Sequence, residues 1–553
     1  MRTSGRYRGV RVGRRPWLPA LLLGTLAASA LSACGAPDGE LAGGSRVRGK
    51  ADDPSCPAKA PEGSPRPELG DLAGKACDYA CWGKGTLPNV CGTRRWQFCL
   101  PSGVFAECTP SEPFRFMGSF DGSQNFRMWT ETMELARRVE RSSGQKPHFT
   151  YFINGSYYYA RICTRWDSKN RCVNVENFPK TADENGDGQP DVGIPPPRGQ
   201  FGWGKNASEV LVRIALTQQA VNEGHEIGTH SMFHEDGGKW GYGQWNTDFK
   251  QMDALVGSTL FEPVRDKEGK ALFPRWTSPA TDDRALGAEC DPSRKTDPTD
   301  LQTCSSGLCI PVADGKAYCS QLCNSSLPCP KGYGCGGPGW SGTFKDYCLP
   351  VPEFPVVVDG QTLFRADGTA EPAAVKAGLL KRYKMKGFRA PYLAVNGSTY
   401  QVMGDRGYLY DASQPRPVEA PGKIKASWQG PLRSLWEFGV MSARPAGVLN
   451  KNWPMPFDSV YSDFGLPAAT MASQYKDSIL RLYARRDEIP AWNIGAHFSY
   501  WETDRTGHSY WDVMQRTYEW AGAGCPDDAT GAKGCPHIAF PSFADYVKEL
   551  GAP

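Results

Sequence analysis

Gly224 to Gly237 reads GHEIGTHSMFHEDG, a short β-rich run that opens into a cluster of metal-compatible side chains. Three of the chain's seven histidines fall here, and His230 and His234 are four residues apart. On a helix that spacing sets both imidazoles on one face, one turn apart. Neutral imidazoles so placed suit a borderline-soft divalent ion such as Zn²⁺. Glu235 and Asp236 follow at once, so a carboxylate is expected to hold a free ring nitrogen. An HxxxH pair alone equally fits two histidines with no metal, so the flanking sequence has to decide.

On the N-terminal side, Phe114–Phe120 (FRFMGSF) alternates as a strand does, and Phe126–Val139 has helical periodicity. His148–Asn154 (HFTYFIN) is a β-rich run bounded by Gly155, Val210–Asn222 reads as a helix, and Gly224–Thr229 as a further strand. Strand alternating with helix points to a parallel sheet of βα units. Downstream, Leu379–Phe388, Gly407–Asp411, Leu435–Val440 and Trp492–Tyr500 continue the pattern, with helices at Ala468–Arg485 and Phe543–Leu550.

A chain of 553 residues has room for about 3 to 4 domains. Its 63 Lys+Arg and 59 Asp+Glu leave a net charge of +4. That near-balance gives no footing for nucleic acid, and no basic stripe with interleaved aromatics is present. Residues 1–34 read as a lipoprotein signal peptide: arginines from Arg2 to Arg15, an apolar run from Trp17 to Leu31, then Leu31-Ser32-Ala33-Cys34. That ending resembles a bacterial lipobox, which makes Cys34 the lipidation site and implies an exported chain, anchored to a membrane and facing periplasm or cell surface. Setting Cys34 aside from the 19 cysteines leaves an even set, consistent with disulfides in an oxidising compartment.

Residues 35–55 read as a tether, and 56–110 as a six-cysteine module too poor in aliphatic residues to fold without staples. It fits either a sugar-stacking module, through Tyr79, Trp82, Trp96 and Phe98, or a rigid spacer. The main domain spans 111–285 and 351–553, interrupted at 286–350 by an eight-cysteine insert. Cys163 with Cys172, and Cys525 with Cys535, are expected to clip loops. Asp183, Asn185, Asp187 and Asp191, with Gly188 at the turn, match the start of an EF-hand-type loop and suggest structural Ca²⁺. Ile194 stands where the closing glutamate belongs.

Four stretches stand in a telling order: Ser119-Phe120-Asp121-Gly122, His230-Ser231-Met232-Phe233-His234, Arg389-Ala390-Pro391-Tyr392 and Gly495-Ala496-His497. Together they resemble the polysaccharide deacetylase family (carbohydrate esterase family four, the NodB-homology fold), over Phe114 to about Trp501 without the insert. The resemblance implies an α/β fold, a distorted (β/α) barrel, carrying here two small disulfide-rich modules. It implies a metal-dependent hydrolase that removes acetyl groups from an N-acetylated glycan such as peptidoglycan or a chitin-like polymer. His230 and His234 would hold Zn²⁺ or another divalent transition metal, and Asp121 would be the base, kept in place by Arg389. The Tyr392 N–H would steady the oxyanion, and His497 would protonate the leaving amine. The family has two aspartates here, the first the base and the second a metal ligand; matched one way Gly122 stands at the ligand position, matched the other way Asp121 is the ligand and no base remains, so one carboxylate is missing either way. Tyr410-Asp411-Ala412-Ser413 resembles a fourth family segment, with Asp411 expected to support the site from behind. The rival reading is a glycan-binding surface lipoprotein on a lapsed deacetylase fold. An insert lying between the second and third motifs is expected to sit over the groove.

Overall fold

Alternation along FRFMGSFD sends Phe116 and Phe120 to one side of a strand and Met117 to the other, and all eight residues are buried. A strand wrapped on both faces belongs to the middle of a covered parallel sheet. The computed structural model describes residues 113–551 apart from 180–203, 279–284, 292–303, 337–345, 417–421, 424–434, 442–466, 498–508 and breaks of one to three residues. Seven parallel strands organise it: β1 (Phe114–Asp121), β2 (Thr150–Ile153), β3 (Glu226–Thr229), β4 (Gly387–Phe388), β5 (Tyr410–Asp411), β6 (Trp436–Glu437) and β7 (Ala491–His497). Their spatial order is β6-β5-β4-β3-β2-β1-β7, with every neighbouring pair parallel. Each strand lies beside its predecessor in sequence, and the last lies beside the first. This is the order of a (β/α) barrel.

The seam falls between β6 and β7. There the buried Asn493 of β7 donates from Nδ2 to the Gly439 carbonyl beyond β6, at 2.8 Å. Among the described residues a side chain, not a ladder, spans the seam.

The longer helices are α1 (Phe126–Ser143), α2 (Ala207–Asn222), α3 (Tyr242–Thr259), α4 (Gly397–Asp405), α5 (Ala468–Tyr483), α6 (Tyr510–Gly522) and α7 (Phe543–Glu549). Side chains of Asn125, Asn206, Ser509 and Ser542 cap α1, α2, α6 and α7. The sequence reading did not anticipate α3, α4 and α6. Phe116 joins sheet to helix layer, stacking on Trp492 at 5.6 Å and on Tyr518 at 4.8 Å. A separate apolar cluster fills the barrel: Met117, Phe152, Tyr410, Phe438, and Phe543, Tyr546 and Val547 of α7.

Helix α7 plugs the end of the barrel where the strands begin. Glu226, the first residue of β3, accepts hydrogen bonds from Thr150 Oγ1 (2.9 Å), Tyr410 Oη (2.8 Å) and the Ala544 amide (2.8 Å).

The insert carries four disulfides, Cys290–Cys309, Cys304–Cys319, Cys323–Cys335 and Cys329–Cys348. The pairing divides it into two consecutive halves of four cysteines. It packs onto the barrel's helices, since Ile310, Tyr318, Tyr347 and Leu349 share one apolar cluster with residues of α1 and α2. Cys525 and Cys535 also form a disulfide. Cys34 with its leader, the tether, the six-cysteine module and the calcium loop of Asp183, Asn185, Asp187 and Asp191 lie outside the described residues, as do the Cys163 and Cys172 side chains.

Candidate active site

Parallel strands end together, so residues just past their C-terminal ends share one rim. Asp121 ends β1 and lies opposite His497, which ends β7. Thr229 of β3 lies opposite Phe388 of β4, which places His230 and Arg389 side by side. Four motifs far apart in sequence thus meet at one end of the barrel.

Asp121 and Arg389 form a buried ion pair, Nη1 to Oδ1 2.8 Å, with side chains 3% and 0% exposed. The same Nη1 reaches Ser119 Oγ at 2.9 Å, Nε donates to the Ala412 carbonyl at 3.0 Å, and the guanidinium lies 4.4 Å from the Phe152 ring centroid. Burial works to raise the Asp121 pKa, but Arg389 foremost, then His230 and His497, hold it below the ordinary carboxylate value. Asp121 is therefore an ionised carboxylate at neutral pH.

His230 and His234 do not lie on a helix. The chain leaves β3 into a loop in which Ser231 (φ 67°) and His234 (φ 55°) are left-handed, and this turn brings the rings to 4.8 Å. The loop is fastened at three of its residues. The Met232 amide donates to Asp248 Oδ1 of α3 (2.9 Å), the His234 amide to Ser231 Oγ (2.9 Å), and Asn154 Nδ2 to the His230 carbonyl (2.6 Å).

Neither Glu235 nor Asp236 orients the His230 ring. Its Nδ1–H donates to the Arg389 carbonyl at 2.8 Å, while Asp236 caps the Gly238 amide at 3.0 Å. A ring held through Nδ1 turns the Nε2 lone pair to an incoming ligand. Burial lowers the pKa of both imidazoles, that of His234 to about 2, with the neighbouring His230 charge adding to it. Two neutral, oriented imidazoles are a donor set that fits a divalent transition metal.

Among the described residues, the groups of three or more His, Cys, Asp or Glu side chains close enough to share an ion consist of disulfide-bonded cysteines. Among the described residues the histidine pair therefore gains no third protein ligand of these types. Gly122, where a second carboxylate was expected, has φ +83° and open space around it, bounded by Asn154 Oδ1 3.9 Å from where a Cβ would stand.

Tyr392 follows Pro391 with φ 55°, and its half-exposed ring meets His234 at 5.2 Å. Asp411 stands behind the third motif. Ser413 Oγ donates to Asp411 Oδ1 (2.6 Å) and accepts from the Ala390 amide (2.8 Å). Burial raises the Asp411 pKa to about 7.

Two solved structures are similar to this chain. One, provisionally described as a polysaccharide deacetylase from Mycobacterium smegmatis, is 10% identical over 80% of this chain and 94% of its own, with a TM-score of 0.32. The other is the Xyl-CE4 domain of a multidomain xylanase from the hindgut metagenome of Trinervitermes trinervoides, 10% identical over 79% and 92%, with a TM-score of 0.26. No protein-family model and no curated protein sequence matches this chain.

Several supporting residues were given no role from sequence: Ser119, Asn154, Asp248 and Ser413. Two of them left a trace. Ser119 lies two residues before Asp121, where alternation returns a side chain to the same face, and Asn154 ends an apolar run. Asp248 looks like any acidic residue on a helix until the fold sets it under Met232.

Proposed function

We propose that the chain is a metal-dependent hydrolase that removes acetyl groups from an N-acetylated glycan outside the cytoplasm, anchored to a membrane through Cys34. The observation that carries this reading is the meeting of two neutral imidazoles with a buried, ionised Asp121–Arg389 pair at one rim. His230 and His234 would hold Zn²⁺ or a related ion, whose chemistry when bound is to polarise a carbonyl and acidify a water. Asp121 takes up a proton from the attacking water at its carboxylate, and Arg389 keeps that carboxylate aimed and charged. His497, opposite Asp121 across the β1–β7 ladder, delivers a proton to the departing amine. The Tyr392 backbone N–H donates to the developing oxyanion. A glycan substrate accords with the half-exposed Tyr392 ring at the rim.

The second reading, a lapsed deacetylase fold that binds glycan, is favoured by Gly122 and by the want of a third ligand among the described residues. One experiment separates the two. Metal content and acetate release from chitin oligomers and peptidoglycan are measured in the purified, oxidised chain and in His230→Ala/His234→Ala. About one Zn²⁺ per chain, the stoichiometry of a mononuclear hydrolytic site, lost together with acetate release in the double variant, supports the hydrolase. Absence of both from the wild type leaves the binder.

A further inference from the structure

The loop between Asp121 and α1, Gly122-Ser123-Gln124-Asn125, is gripped from two sides. From the barrel, the fully buried Arg213 of α2 donates to the carbonyls of Ser123 (2.9 Å), Gln124 (2.8 Å) and Tyr157 (2.6 Å), while paired with Glu209 at 2.8 Å. From the insert, the fully buried Asp346 accepts from the amides of Phe126 (3.0 Å) and Arg127 (2.9 Å). These are the first two amides of α1, which have no partner inside the helix and sit at the positive end of its dipole. A residue 220 positions away thus caps the helix that follows the proposed base.

Gly336 presses on the same point. A Cβ there would lie 2.0 Å from Asp346 Oδ2, 2.6 Å from the Phe126 amide nitrogen and 2.7 Å from the Gln124 carbonyl oxygen. The site therefore admits the insert's backbone and nothing larger. Cys335 precedes Gly336 and Cys348 lies two residues beyond Asp346. The two cysteines face each other across an antiparallel ladder, and each is stapled within the second half, to Cys323 and Cys329 respectively. Asp346 and Gly336 therefore reach the loop from one cross-linked body. The loop passes the constraint on, since Ser123 Oγ donates to the Asn154 carbonyl (3.4 Å) and Asn154 Nδ2 holds the His230 carbonyl (2.6 Å).

We infer that the second four-cysteine half of the insert is a positioning element of the active site, with Asp346 and Gly336 fixing the loop 122–125 against Asn154 and the histidine loop. Its catalytic consequence rests on the deacetylase reading; the clamp itself does not.

The test compares the oxidised full chain with Asp346→Leu, Gly336→Ala and Asp346→Asn by amide hydrogen exchange and by steady-state acetate release. Asp346→Leu and Gly336→Ala should speed exchange across 122–128 at least about tenfold, leave β7 and α6 unchanged, and cut kcat about tenfold with KM held within about twofold, the scale of a lost outer support. Asp346→Asn keeps one acceptor oxygen and should fall between these variants and the wild type in both measures. Wild-type exchange at 122–128 in the folded Leu and Ala variants, or fast exchange with undiminished kcat, would overturn the inference. A wild type that releases no acetate would sink the deacetylase reading and the catalytic consequence with it, while exchange would still decide the clamp.

Discussion

Asp121 is buried, charged and served by a guanidinium whose other bonds go to Ser119 and Ala412, so base and holder cannot be exchanged piecemeal. Asp121→Asn should lower kcat about 10²- to 10⁴-fold, the usual worth of a positioned base, with metal affinity unchanged by titration calorimetry. Unchanged turnover would remove Asp121 from the mechanism. Arg389→Met strands a buried carboxylate and should cost about 3–5 kcal/mol in urea unfolding. Arg389→Lys should recover little of that loss, because a point charge cannot reproduce the fork. The pH dependence follows in sign. The folded pKa of Asp121 is depressed, so the pair's stabilisation is whole above the ordinary aspartate value and is lost as pH falls through the lowered one. Gly122 supplies a second residue-level prediction. Its φ of +83° makes Gly122→Asp strained by about 1–3 kcal/mol, yet the added carboxylate should tighten Zn²⁺ binding, whereas Gly122→Ala should carry the strain alone. Equal zinc affinities for the two variants would refute the idea that this position is the missing ligand.

At the scale of elements, α1, α2, α5 and α7 were legible because their apolar spacing is regular and because asparagine or serine precedes three of them. Helix α3 was hidden between Gly241 and Gly257, although Trp245, Phe249, Met252 and Val256 do keep helical spacing. The histidine pair was misplaced for a physical reason. Two left-handed non-glycine residues achieve in a loop what a helical turn would, and nothing in HSMFH announces them. The plug helix α7 was legible as a helix but not as a plug, since its tie is to Glu226, more than 300 residues away. Burial raises the Glu226 pKa from 4.5 to about 7 against its three hydrogen bonds. The folded state thus binds the proton more tightly, so stability from this group is complete below pH 4.5 and is lost as pH rises to about 7, by about 3 kcal/mol. Glu226→Gln should narrow the difference between urea midpoints at pH 5 and pH 7.5, the remainder belonging to Asp248, Asp346 and Asp411, whose pKa values burial also raises to about 7; a difference as large as in the wild type would clear Glu226 of the effect.

At the scale of the molecule, strand order was legible from the alternation of βα units, and the meeting of four motifs at one rim follows from their places at the ends of parallel strands. What could not be read was closure. A parallel barrel closes by a backbone ladder, but among the described residues β6 and β7 share none, and the seam rests on a side chain. No periodicity marks Asn493, which sits in AWNIGAH where an apolar residue would satisfy the pattern equally well. Among the described residues its buried Oδ1 meets no donor, so this amide sits there at a desolvation cost that the bond from Nδ2 to Gly439 offsets. Asn493→Ala deletes that donor and leaves a buried carbonyl unmet, which should cost about 1–3 kcal/mol. It should appear as a lower urea midpoint at unchanged m-value, because the same surface is exposed on unfolding. Asn493→Leu fills the space without the donor and so separates packing from bonding. If the leucine variant matches the wild type, packing alone holds the seam; if it falls with the alanine variant, the barrel is closed by that one amide.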